Sequence, residues 1–310
     1  MSHVHSMGSN GAVANHGSMM RRTAWAAVAV ASFLILIKLV AYLLTDSIAM
    51  LASLADSALD VFASSINLIA IRHALTPADP EHRFGHGKAE PMAGLMQGAF
   101  IAGSVAFLSI ESVGRLIAPH PIAHGMLAIG VMVASIAVTA ILITVQQITV
   151  AKTGSIAISA DRMHYIGDLL TNLGVVAGIV LSTQFGIWIA DPIIGLVVAA
   201  ILSWSAWHVF AQSYNQLMDR ELPEDERDKI KAIVMRHAEV RDMHDLRTRA
   251  AGIATFIQLH IELDPAMSLT HAHDVSDAVE AEIMAAYPTA EVIIHQDPAG
   301  LEAVDALAQT

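Results

Sequence analysis

Long apolar runs alternate with short polar links over the first two thirds of the chain. A membrane span needs about 20 consecutive apolar residues. Six stretches are long enough, at about 23–44, 47–73, 91–117, 123–150, 162–183 and 187–211. The links after the first and fifth, around Thr45 and Gly186, are short enough for tight hairpins. Past the sixth run the periods shorten. "PEDERDKIKAIVMRHA" sets Ile230, Ile233, Val234 and His237 on one helical face, with Pro223 suited to a first turn and acids near the positive end of the helix. "HDLRTRA" and "IATFIQLHIELD" alternate as strands about a turn at Ala251 and Gly252. "SLTHAHDVSDAVEAEIMAAYP" predicts a second helix with Ser268 as its N-cap, and "EVIIHQDP" a third strand.

Charge orients this pattern. Arg21, Arg22, Arg72, Arg83, Lys88, Lys152, Arg162 and Arg220 fall on one side of six spans, with Arg115 the main exception. Lys and Arg mark the cytoplasmic side. Both termini and the link at 74–90 are therefore expected in the cytoplasm, and the chain in the cell inner membrane. The expected organisation is a disordered, His-containing N-terminus (1–20), a six-helix transmembrane domain (21–212), a small cytoplasmic α+β domain of order αββαβ (213–298) and a C-terminal tail (299–310). His3, His5 and His16 in the first segment suggest at most weak metal binding.

Composition narrows the chemistry. The chain has 310 residues, 55% of them apolar, and no cysteine, which excludes thiolate sites and disulfides. From Asp219 onward it carries 19 acidic and 8 basic residues, whereas the part before is nearly balanced. That acidity excludes nucleic acid as a partner, because phosphates require Lys and Arg, and it suits cations.

An ionisable residue inside a span is costly and marks function by default. Span two carries Asp56 and Asp60, and span five carries His164 and Asp168. Each pair is spaced i, i+4 and so shares a helical face. Turned together, the two faces offer three carboxylates and an imidazole, a set suited to a tetrahedral divalent ion. Hydrogen-bonded helix packing accounts poorly for three buried carboxylates, which repel one another unless protonated or metal-bound. Lys38, by contrast, can snorkel. A metal requires neutral imidazole, so loading at His164 expels a proton and links metal movement to a proton gradient.

Two polar clusters lie outside the spans. "ADPEHRFGHGKAEP" holds Asp79, His82 and His86 near Gly85 and Gly87, and is either a metal site or a solvated loop. In the tail, His260 falls on the polar face of its strand, while His295 and Asp297 share a face of another. Paired strands would let these converge. An enzyme using the intramembrane metal for hydrolysis is disfavoured, since HExxH and a serine elbow are both missing and protein ligands would leave no open position for water. A membrane-bound metal sensor that signals through its tail without transport is the alternative to a transporter.

Seven stretches, "LADSALD", "PADPEHRFGHGKAEP", "DRMHYIGD", "LMDREL", "HDLRTR", "FIQLHIEL" and "VIIHQDP", occur in order between about residues 21 and 298. With them the chain resembles the cation diffusion facilitator family, in its bacterial zinc and ferrous-iron efflux branch. The resemblance implies a Y-shaped homodimer in the lipid bilayer and outward divalent metal–proton antiport by alternating access. It implies a metallochaperone-like cytoplasmic domain. It further implies a transport site of Asp56, Asp60, His164 and Asp168, and a loop site of Asp79, His82 and His86. A binuclear cytoplasmic site would use His244, His260, His273, His295 and Asp297, and an inter-domain charge pair would join Lys88 to Asp219. One His among three carboxylates favours Zn2+, as cargo and in the tail as a structural or regulatory ion. Cd2+ fits too, and Fe2+ is the other candidate cargo.

Overall fold

The computed structural model describes residues 6–45, 48–118, 126–187 and 189–300; His3, His5 and residues 301–310 lie outside them. Six long helices come first: α1 (Ser6–Thr45), α2 (Ile48–Ala74), α3 (Ala89–Ile117), α4 (Met126–Thr153), α5 (Ile156–Phe185) and α6 (Ala190–Leu217). Then follow α7 (Glu224–Val234), β1 (Asp242–Ala251), β2 (Ala254–Leu263), α8 (Leu269–Ala286) and β3 (Ala290–Pro298). The chain divides into two compact units, Ser18–Tyr214, and Asn215–Thr310 together with Met1–Gly17.

The helical unit is built inside out relative to a water-soluble domain. Large apolar side chains such as Phe107, Ile110, Trp204 and Trp207 are exposed, while Ser57, Ser64, Asn67, Gln97, Gln146 and Thr149 are buried. In lipid the apolar exterior has nothing to gain by turning inward, and helices associate through small residues and interhelical hydrogen bonds. Gly195 of α6 lies so close to α3 that an added Cβ would fall 2.2 Å from Ser112 Oγ, and one at Gly167 would fall 2.8 Å from Leu202. Among the described residues, α1, α3, α4 and α6 contain stretches long and apolar enough to cross a membrane. The remaining two long helices, α2 and α5, carry the ionisable pairs.

Several boundaries differ from the sequence expectation, and three of them have a physical reason or a consequence for the sites. Helix α1 starts at Ser6, inside the segment read as disordered, because extending a formed helix avoids the cost of nucleation. Helix α5 starts at Ile156 and not near residue 162. There Ser155 Oγ accepts from Ile158 N at 3.2 Å, an N-cap bond that the sequence pattern did not weigh. The hairpin turn of the tail falls at Gly252 and Ile253, one residue later than expected.

In the second unit β2 is the central strand, antiparallel to β1 and parallel to β3. Ile257, Leu259, Ile261 and Leu263 alternate into a core shared with Ile230 and Val234 of α7 and with Val275, Val279 and Ile283 of α8. Period-2 alternation then sends His260 and Glu262 to the other face. Ser268 caps α8, its side chain accepting from His271 N.

Ile257 is fully buried on the central strand, so Ile257→Ala should cost about 2–5 kcal/mol. Amide exchange on the full-length protein should show the tail sheet losing protection while α1–α6 keep theirs. Unchanged sheet protection would contradict this core assignment.

Candidate metal sites

Helix α2 brings Asp60, and α5 brings His164 and Asp168, to one buried point. His164 Nε2 lies 3.1 Å from Asp60 Oδ1 and 3.9 Å from Asp168 Oδ2. Ligand atoms of the three residues all fall within 4.8 Å of one another. Asp168 Oδ2 is buried with no hydrogen-bond partner. Such an orphaned oxygen beside an imidazole and a second carboxylate suits a cation. Asp56, one turn before Asp60, is exposed and outside this group, and repulsion between carboxylates favours that separation. Lys38 does not snorkel. It is buried, and its ammonium donates to Ser57 Oγ at 2.6 Å and Ser53 O at 3.3 Å.

The loop between α2 and α3 gathers Asp79, His82 and His86. Asp79 Oδ1 accepts from the backbone N–H groups of Glu81 (2.9 Å) and His82 (2.6 Å) and lies 3.2 Å from His82 Nδ1. Its Oδ2 is 3.4 Å from His86 Nε2. Gly85 turns the loop at φ +75°, the left-handed region that glycine enters without strain. The backbone N–H of His82 is the largest influence holding the Asp79 carboxyl below its ordinary range. Lys88 sits at the N-cap position of α3.

In the tail the strand register does the gathering. His244 pairs with His260, and His260 pairs with His295, so three imidazoles occupy one rung across the sheet. Asp297 Oδ2 lies 2.8 Å from His260 Nδ1 and 3.3 Å from His244 Nε2, and its Oδ1 lies 3.3 Å from His295 Nε2. Burial raises the Asp297 carboxyl, but the hydrogen bond from His260 and the charges of His295, His260 and His244 outweigh it and leave it lowered. Asp245, at a β-bulge with φ +46°, brings a further carboxylate 3.8 Å from His260; the sequence pattern did not flag it. His273 is not brought to this group. Ala272, Val275 and Val279 take the buried face of α8, which leaves His273 exposed and 3.5 Å from Asp277. His271 pairs with Glu239 at 2.6 Å. Asp219 lies 3.4 Å from Arg249.

Residues 24–218 match the description "Cation efflux transmembrane domain", and residues 222–299 match "Cation efflux protein, cytoplasmic domain". The chain belongs to the cation efflux family, the cation diffusion facilitators. It is 46% identical over 277 residues to a protein of Shewanella oneidensis named cation-efflux pump FieF, covering 89% of this chain and 93% of that one. It is 41% identical to a protein of the same name from Cronobacter sakazakii, covering 92% and 94%. It also aligns with the metal-bound C-terminal domain of the CzcD transporter from Thermotoga maritima, at 30% identity over 26% of this chain and 100% of that one, with a TM-score of 0.25. This cation diffusion facilitator is a multi-pass membrane transporter with a cytoplasmic C-terminal domain, and not an enzyme.

Two buried carboxylates of this facilitator escaped the sequence reading. Asp161, one turn before His164, is almost wholly buried. It accepts from Gln97 Nε2 at 3.2 Å, Gln146 Nε2 at 2.7 Å and Ser64 Oγ at 3.5 Å. Ser64 also bonds the Tyr165 hydroxyl at 2.8 Å. This hub joins α2, α3, α4 and α5. Glu90 is 1% exposed and accepts from Ala157 N at 3.3 Å and from the Ser155 hydroxyl. Starting spans at 91 and 162 had placed both acids just outside the membrane. The available signal was the same charge-in-span rule, applied one turn further.

Asp161→Ala should strand the amides of Gln97 and Gln146, at a cost of about 1–3 kcal/mol. A clearly lowered thermal midpoint of the detergent-solubilised protein is expected, with Asp161→Asn milder, and an unchanged midpoint would refute the hub. A second expectation follows from Asp79. Its lowered carboxyl stabilises the turn fully above the ordinary aspartate pKa of about 3.9, and that contribution fades as pH falls through the lowered value. Amide exchange at Glu81 and His82, corrected for intrinsic rates, should stay flat from about pH 7 to pH 5. Loosening already near pH 6 would contradict it.

Proposed function

We propose that this transporter exports divalent metal from the cytoplasm in exchange for protons, with zinc as principal cargo and cadmium and iron(II) also accommodated. The buried group of Asp60, His164 and Asp168, with its unpartnered Asp168 oxygen, carries this reading. Borderline imidazole among hard carboxylates suits Zn2+, whereas a site of carboxylates alone would favour manganese. A ligating imidazole must be neutral, so metal and proton compete at His164, and alternating exposure of that site turns the competition into antiport. Asp56 supplies the fourth ligand by swinging in from the next turn of α2.

In this reading the loop residues Asp79, His82 and His86 form a second site. His244, His260, His295 and Asp297 hold zinc in a structural or regulatory role, with His273 joining as two copies of the chain associate. Metal there neutralises an acidic tail and draws the two tails of a homodimer together. Lys88 and Asp219 are assigned as the charge pair that the family resemblance implies. The protein works in the inner membrane with both termini in the cytoplasm.

Proteoliposomes under an imposed pH gradient test this. Zinc should accumulate with the wild type, and collapsing the gradient should stop it. Asp60→Ala and His164→Ala each remove a ligand, and flux should fall to the level of empty liposomes. His260→Ala should retain flux with an altered dependence on zinc concentration. A His164→Ala protein that moves zinc against the gradient at the wild-type rate would sink the proton-coupling role. A wild type without flux would favour the sensor.

A further inference from the structure

Helix α2 runs directly into the loop site. Its last turn carries Arg72 and His73, and the His73 ring stands edge-on to His86, with centroids 4.6 Å apart and planes at 63°. His86 in turn lies 4.5 Å from His82. Two imidazoles therefore flank the buried His86, making three in all, with Asp79 beside them. Nitrogen–zinc bonds of about 2.0–2.1 Å in a tetrahedral site put neighbouring ring centroids roughly 5 Å apart, close to both separations.

The central ring is already set for ligation. His86 Nδ1 lies 3.3 Å from the Thr76 carbonyl, and donating to it leaves the Nε2 lone pair directed toward Asp79 Oδ2, 3.4 Å away. An outer partner that fixes the tautomer of a ligating imidazole is the usual support at such sites. Asp79, His82 and His86 amount to three ligands, and structural zinc takes four. His73 is exposed at a helix end, where its side chain has room to turn. It was not among the candidate ligands of the sequence.

We propose that His73 is the fourth ligand of the loop site. Zinc would then be held by three imidazoles and one carboxylate, and it would tie the loop to the last turn of α2. The proposal rests on the loop being a metal site. Its consequence is mechanical, because α2 also carries Asp56 and Asp60. The 13 residues from Asp60 to His73 span about 20 Å of helix at 1.5 Å per residue. Zinc on the loop would thus brace one end of the helix whose other part holds the transport acids. A nitrogen-rich set also prefers zinc to hard cations more strongly than the intramembrane set does, so the loop would respond to zinc in particular.

The test uses the full-length protein in detergent, with His164→Ala removing the intramembrane site and His260→Ala with Asp297→Ala removing the tail site. Zinc affinity is measured by competition with a chromogenic chelator, and bound imidazoles are counted by X-ray absorption at the zinc edge. This background should bind zinc with three imidazoles. Adding His73→Gln should lower the count to two and weaken binding by about 10–100-fold, and His82→Gln should weaken it at least as much. If His73→Gln leaves both count and affinity unchanged while His82→Gln lowers them, the fourth-ligand assignment is wrong and the loop site stands. If the background binds no zinc, or His82→Gln changes nothing, the loop site itself is refuted and this assignment with it.

Discussion

A carboxylate in hydrocarbon has to be answered by donors or by a cation, and the transmembrane unit is arranged around that requirement. Asp161 and Glu90 are answered by protein. Amide and hydroxyl donors from α2, α3 and α4 close on the first, and the first turn of α5 closes on the second. The Asp60 and Asp168 carboxylates are answered only in part, by a single imidazole, and one Asp168 oxygen has no partner. These neighbouring acids have opposite fates. Those fully bonded to protein fix helices together, and those left short of partners are the ones grouped around the buried imidazole of His164. Lys38 is likewise answered by protein, donating to Ser57 and Ser53.

The tail solves a different problem. Its histidines are in water's reach, so no cost of burial forces them together, and alignment comes instead from the sheet. Leu259 and Ile261 are locked into the apolar core on either side of His260. That fixes which face the histidine takes, and the pairing of β2 with β1 and β3 fixes its neighbours. The bulge after His244 lets β1 return to register while turning Asp245 toward the same face.

Much of this was legible in the sequence, for identifiable reasons. Helix existence followed from long apolar runs, and the αββαβ order from a change of period. The Asp60, His164 and Asp168 group followed from i, i+4 spacing inside spans. Helix ends were harder to place. A hydropathy pattern does not register that Ser155 caps α5 or that Glu90 satisfies its first turn, and starts placed two residues late at α3 and six at α5 each hid a buried acid. Asp56, read from its spacing, and His273, implied by the resemblance, show the opposite limit. Spacing assigns a residue to a face, but whether its side chain turns inward depends on repulsion and on which neighbours claim the buried face. Asp245 and His73 were out of reach, since a backbone bulge and a ring contact across a loop leave no periodic trace.

The rung of His244, His260 and His295 has one further consequence. A slip of a single residue between strands would turn every side chain of the moved strand to the opposite face, and would push Met243 out of the core as it drew His244 in. The apolar side of the sheet therefore proofreads the alignment of the polar side. The alignment of these side chains is set by the same core that folds the domain.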